Sequence, residues 1–362
     1  MSDNVIRFRS ILKSLKSLYC SEPTGNLLRN LTTLAALISG IIGGKSSQLP
    51  AAASKITDSS KLESRVKKFS RLLKNDRVNY NTYFMPYAQL LLACLNQRTL
   101  AIIIDGSTVG NHCISLVASI VYKKRALPIC WITTKGCKGH LPEELHIKLV
   151  EQLQKIIHDD SSVIILGDGE FDGAKLLETI KKNNWHFVCR TMKNRILYEN
   201  LELFSFCNVD PGREEWFRIP YVSLADYPDL KLHAVLWWQK KYKEPIYLLT
   251  TINLAAEATY WYKKRFQIET MFSDKKSRGF NLQKTHISDP KRIDRLLIAA
   301  ALAYIFIIYF GVYAVKNGFE KIIHRTDRCD LSLCQLGFRM VDHFLNKRHR
   351  IPGVQLDLFA NI

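Results

Sequence analysis

The pattern of apolar and polar positions changes its period along the 362-residue chain, and each change marks a unit. Residues 1–95 carry helical spacing throughout. Within them, "GNLLRNLTTLAALISGIIGGKSSQLPAAAS" predicts a helix, a Gly-Gly turn and a second short helix, and "KLESRVKKFSRLLKND" predicts a basic amphipathic helix. From residue 99 the texture becomes strand-like. "TLAIIIDGST" is a short apolar β-branched strand that runs into an acid and a glycine, and "CISLVASIVYKKRALPICWITT" predicts a hairpin around "YKKRALP". A helix follows in "LPEELHIKLVEQLQKIIHDD", and "SSVIILGDGEFDG" repeats the strand–acid–glycine pattern. "AKLLETIKKNN" is the next helix and "WHFVCRT" the next strand. This order, βββαβαβ, implies an α/β fold whose sheet mixes strand directions. Residues 197–252 are strand-rich and aromatic, 253–318 return to helix, and 319–362 form a helical C-terminal region.

Two apolar runs raise the question of a membrane. Leu34 to Gly43 is too short to span a bilayer, but Leu296 to Val315 is twenty residues without a charge, the length of a transmembrane helix. A helix buried on all sides in a large core has the same pattern, and the flanking Arg292, Arg295 and Lys316 set no orientation. Periodicity alone leaves both readings open.

Charge narrows the partners. Fifty-two Lys and Arg against thirty-three Asp and Glu give a net charge of +19 and a pI near 9.5, an excess that points to a polyanion. Residues 1–95 alone hold fourteen basic against five acidic side chains, and short helices with a glycine turn suit a helix-turn-helix-like DNA-binding domain or a plain helical subdomain. The nine cysteines include no CxxC pair, which suits reduced thiols of a cytoplasmic protein. The N-terminus lacks the apolar stretch of a signal peptide, and no P-loop is present, so ATP is not expected.

The chemistry concentrates on three acids. Asp105 and Asp168 each end an apolar strand, where ligand sites of α/β sheets gather, and neither has an adjacent basic residue. Two such carboxylates side by side call for a divalent cation, and Mg²⁺ takes oxygen ligands. A third carboxylate, Glu269, lies in "YKKRFQIETMFSDKK". Read as one helix, this segment places Tyr262, Arg265, Glu269 and Lys276 within an arc of about 60° over about 21 Å. The bland alternatives are Asp-Gly turns and an exposed amphipathic helix with an i,i+4 ion pair. His112, His140 and His146 lack metal-ligand spacing, and Ser107 and Thr108 have no nucleophile elbow around them.

Tyr262, Arg265, Glu269 and Lys276 stand at the spacing Tyr-(2)-Arg-(3)-Glu-(6)-Lys, "IIIDGSTV" and "LGDGEFDG" supply two aspartate motifs, and "RGFNLQKTHISDPKRIDRLLIAAALAY" follows the glutamate. Together these resemble the DDE transposases of the bacterial insertion-sequence-four family. Gly169 departs from the Arg that many relatives carry after the second aspartate. The resemblance implies an RNase H-like catalytic core in 96–196 and 253–318, interrupted by the β insertion. It implies that Asp105, Asp168 and Glu269 hold two Mg²⁺ ions, with Mn²⁺ as a substitute. It implies DNA contacts from Tyr262, Arg265 and Lys276, their neighbours Lys275 and Arg278, and Trp238 as a stacking residue for a flipped base. The partners would be double-stranded DNA at the terminal inverted repeats and target, and a second copy in a synaptic homodimer. The apolar run at 296–315 would be a core helix, leaving no membrane association and a nucleoid-associated cytoplasmic protein. The competing expectations are an RNase H-like nuclease that does not join DNA, and a DNA-binding protein that has lost catalysis.

Overall fold

The structure, a computed structural model, describes residues 2–95, 97–136, 141–200, 202–209, 212, 216–239 and 242–359, without the side chains of 277 and 278. Six helices come first: α1 Asp3–Lys16, α2 Gly25–Gly44, α3 Leu49–Ala53, α4 Leu62–Lys74, α5 Tyr80–Tyr83 and α6 Met85–Leu95. The central part runs β1 Thr99–Val109, β2 Cys113–Tyr122, β3 Arg125–Lys135, α7 Glu143–Gln154, β4 Ser162–Gly167, α8 Ala174–Lys182 and β5 His186–Thr191. Five further strands follow: β6 Ile196–Glu199, β7 Glu202–Ser205, β8 Trp216–Leu224, β9 Tyr227–Trp237 and β10 Ile246–Thr250. The chain ends in α9 Ala255–Lys264, α10 Gln267–Ser273, a π-helical turn Asp274–Arg278, α11 Pro290–Lys316, α12 Glu320–Ile323 and α13 Leu333–Asn346.

All ten strands belong to one mixed sheet, in the order β3-β2-β1-β4-β5-β10-β9-β8-β6-β7. β1 pairs antiparallel with β2 and parallel with β4, and β4 pairs parallel with β5. The aromatic block does not form a separate layer. Its strand β10 pairs antiparallel with β5 and carries the sheet onward. β2 is buried at every position, so its sequence cannot alternate; both of its faces are covered.

The twenty-residue apolar run lies inside α11, a helix of membrane-spanning length that is buried in protein along almost all of it. Asp289 caps it, accepting from the Lys291 amide at 2.9 Å, and Pro290 occupies its first position, where no backbone donor is needed. Its crossing with α13 is set by two glycines. A Cβ on Gly311 would lie 2.0 Å from the Leu333 carbonyl oxygen, and one on Gly337 would lie 1.9 Å from that of Ile307. α11 also packs on α2 and β3, so the N-terminal helices share one continuous apolar core with the sheet. Some of the N-terminal basic charge is internal: Arg7 is buried and donates to the Ser39 carbonyl at 2.9 Å and to the Lys55 carbonyl at 3.1 Å, tying α1 to α2 and to the turn after α3.

Candidate active site

β1 and β4 bring the first two acids together. Their parallel register pairs Ile102 with Ile165 and Ile103 with Leu166, a constant offset that Asp105 and Asp168 continue two residues further on. Adjacent strands lie about 4.8 Å apart, so the two carboxylates leave neighbouring backbones at the same level. The expectation that both acids end their strands needs one correction. Asp168 does follow β4, but β1 runs on to Val109 because it continues to pair with β2, and Asp105 lies within it.

Each aspartate is oriented by a nearby amide. Asp105 accepts from Gly106 at 2.7 Å and Asp168 from Glu170 at 3.0 Å. Burial and then the charge of Asp168 push the Asp105 carboxyl up to about 6, against the opposing pull of Arg265 and the Gly106 amide; Glu269 adds a smaller upward push. Burial of the carboxyl is the larger cause and the neighbouring acid the second.

Arg265 brings positive charge to the acids. Its guanidinium is buried and reaches Asp105 at 3.6 Å with one nitrogen and Glu269 at 3.3 Å with the other. Among the described residues no three Asp, Glu, His or Cys side chains form a group that could hold a metal ion as they stand. The donor chemistry nevertheless fits a hard divalent cation. Oxygen ligands are the type Mg²⁺ and Mn²⁺ prefer, and Asp105 is a buried carboxylate with a second carboxylate, Asp168, beside it. Glu269 is paired with Arg265, which also reaches Asp105.

The single stripe from Tyr262 to Lys276 is not present. The helix breaks at Arg265–Phe266 between α9 and α10, then widens into the π turn at Asp274. Each interruption rotates the residues beyond it, so the 100° spacing does not carry across. Tyr262 is buried with its ring beside the Arg265 guanidinium, and Arg265 faces the acids. Lys275 is buried too, and desolvation lowers its ammonium to about 7. Lys276 is half-buried, with its ammonium 6.0 Å from the Phe272 ring centroid. The Arg278 side chain lies outside the described residues. Trp238 is half-buried, and its indole N–H donates to the Tyr242 carbonyl at 3.1 Å.

Other side chains carry roles that sequence reasoning missed. Arg125 and Asp274 form a buried ion pair at 2.8 Å that anchors the π turn to β3. His146 is buried 4.6 Å from Phe171 and 3.5 Å from Glu170, while His112 is an exposed turn residue with φ of 55° and His140 lies outside the described residues. The exposed aromatics of the β insertion are Trp216, Phe217 and Tyr221 on β8. Only pairing with β9, which no local pattern reveals, shows which side of β8 is covered.

An α/β sheet that sets two aspartates side by side, with a helical glutamate sharing an arginine with the first of them, defines an acid-centred site of the type that acts on phosphoesters. The family model for the transposase DDE domain matches residues 98–306, more than half of the chain, and the chain belongs to that family. The class acts as nuclease and transferase on DNA and generally uses divalent metal ions. Among solved structures the chain is similar to a piggyBac transposase synaptic complex with hairpin DNA, at 14% identity and a TM-score of 0.43, covering 98% of this chain and 82% of that one. Comparison with curated proteins finds no match.

Proposed function

We propose that this chain is a transposase of the insertion-sequence-four type with an RNase H-like core. It binds the terminal inverted repeats of its element, cuts at them and joins the freed ends to target DNA. The observation that carries this reading is the shared register of Asp105 and Asp168, with Glu269 tied to the same site through Arg265.

Asp105, Asp168 and Glu269 would hold two Mg²⁺ ions, or Mn²⁺ in their place. When bound, these supply Lewis-acid activation of the attacking oxygen and neutralise charge at the leaving oxygen. Water attacks the phosphorus at the transposon end, the P–O3′ bond breaks, and a 3′-hydroxyl and a 5′-phosphate remain. The 3′-hydroxyl then attacks a target phosphate and displaces the target's own 3′-oxygen. Arg265, once Glu269 turns away from it, is placed to meet a non-bridging phosphate oxygen with its planar fork. Two ends must be joined, so the working unit is a dimer that holds one end per active site.

A pre-cleaved end, target DNA and Mg²⁺ test this directly. The wild-type chain is expected to form the joined product. Asp105→Ala, Asp168→Ala and Glu269→Ala are expected to lose cutting and joining by more than about 100-fold while retaining end binding, since even outer partners of metal ligands cost 10–100-fold. Cleavage without joined product would show a nuclease instead, and full activity of Glu269→Ala would remove the site assignment.

A further inference from the structure

The turn that carries Asp168 is held from outside. Gly167 leaves β4 so tightly that a Cβ on it would lie 2.6 Å from the Phe171 Cβ, whereas nothing stands within 4 Å of a Cβ on Gly169. Among the described residues nothing packs on the backbone at that open side. Two local bonds shape the turn: the Glu170 amide donates to the Asp168 carboxylate at 3.0 Å, and the Phe171 amide to the Asp168 carbonyl at 3.1 Å. Glu170 in turn is tied to the start of α7. One of its carboxylate oxygens accepts from the Leu141 amide at 2.6 Å, and the His146 Nε2 lies 3.5 Å from that same oxygen. His146 also backs Phe171, which is fully buried.

A second tie runs the opposite way. α8 starts at a glycine cap, Gly173, which offers no side chain to the free amides of the first turn. Glu143, from the first turn of α7, supplies the acceptor instead and takes the Leu176 amide at 2.9 Å. A Cβ on Gly173 would lie 2.3 Å from that carboxylate oxygen, so the glycine makes room for it. One acid of α7 thus caps α8, and one acid of the Asp168 turn caps the approach to α7.

We infer that Glu143 and Glu170 form a reciprocal clasp whose function is to position Asp168. They are positioning residues: neither is assigned to the reacting atoms, and both act through the backbone that carries the aspartate. The consequence for metal binding rests on the proposed transposase reading; the holding of the turn does not. His146 is the buried wall against which the Glu170 side is set.

The test uses the full chain and has two arms. Amide hydrogen exchange across residues 167–177 reads the turn without any metal. Mn²⁺ affinity, read from loss of the free-ion paramagnetic signal, reads the consequence. Glu170→Ala is expected to speed exchange of the Glu170 and Phe171 amides by about tenfold, and Glu143→Ala that of Leu176, with β5 and β9 unchanged. Both should weaken Mn²⁺ by about 10-fold or more, as outer partners of ligands do. Glu170→Gln and Glu143→Gln keep an acceptor oxygen and are expected to restore both readouts, which a general loss of stability would not show. If Glu170→Ala fails to fold, Glu143→Ala and the two Gln variants still decide. Unchanged exchange in the Ala variants, or Gln variants as damaged as Ala, overturns the clasp. If wild-type and Asp168→Asn chains take up Mn²⁺ equally poorly, the metal reading falls, and the exchange arm still judges the clasp.

Discussion

The two halves of the candidate site reach it by different routes. Asp105 and Asp168 are placed by strand register: once β1 and β4 pair in parallel, the offset between Ile103 and Leu166 puts the acids at one level. Glu269 is placed by tertiary contacts on an interrupted helix, with a break before α10, a π turn after it and Arg125 gripping Asp274. A strand passes position along faithfully, because its period of two is fixed by the pleat. A helix does so only while it is continuous. A break changes the direction of every later residue, and the packing around it decides where the next side chain points.

The largest effect expected from this contrast is on stability, at Asp274. It is buried with Arg125, their side chains 4% and 9% exposed, and removing one partner strands the other charge. Asp274→Ala is expected to cost about 3–5 kcal/mol in denaturant unfolding. Arg125→Met with Asp274→Leu should recover most of that, because no buried charge is left. A loss below about 1 kcal/mol in the single variant would mean that the Glu269 region does not depend on this anchor.

What could be read from the sequence divides along the same line. The strand–acid–glycine repeats showed β1 and β4 with their aspartates, because a run such as "IIID" needs no distant partner to be recognised. The stripe around Glu269 was legible as composition but not as geometry. Nothing in "YKKRFQIETMFSDKK" marks the break at Arg265–Phe266 or the π turn; Tyr262, Arg265 and Asp274 are all buried around them, which local spacing does not reveal. α11 was ambiguous for another reason. An apolar helix is the same object in lipid or in protein, and its burial against α2, α13 and β3 is a tertiary fact that no local pattern carries. The aromatic strands were visible as strands, but their joining of the main sheet through β10 was not, since alternation does not name a strand's neighbour. Glu143 and Glu170 were hidden because each bonds a backbone amide, which has no sequence signature.

A smaller effect, of opposite sign, is expected in the strand half. The folded chain holds the Asp105 proton more tightly than the unfolded chain, with its carboxyl pushed to about 6 from an ordinary 3.8. Between those values the folded state carries the extra proton, so stability falls as pH rises through that window and the full penalty applies above about 6. Asp105→Asn has no such loss. In chelator at pH 8 it is expected to be more stable than wild type, by at most about 3 kcal/mol, while losing cleavage. Parallel pH profiles for the two chains between pH 4 and 7 would show that Asp105 is not strained by its neighbours. An acid of the strand half would then be a burden on the metal-free fold, where Asp274 in the helix half supports it.

The finest distinction is between two consecutive lysines that the stripe treated alike. Lys275 is buried with its ammonium lowered to about 7, whereas Lys276 is half-buried. For Lys275 the folded state is the reluctant proton binder, so its penalty is complete below about 7 and is relieved as pH rises toward 10. Lys275→Met is expected to gain stability below pH 7, to lose that gain as pH rises toward 10, and to leave the salt dependence of end binding unchanged. Lys276→Ala is expected to leave that pH profile alone and to reduce the log–log salt slope by about 1, the loss of one phosphate contact. A salt slope that changes with Lys275→Met and not with Lys276→Ala would mean that the π turn reopens on DNA. The 100° spacing absent from the free chain would then be a property of the bound one.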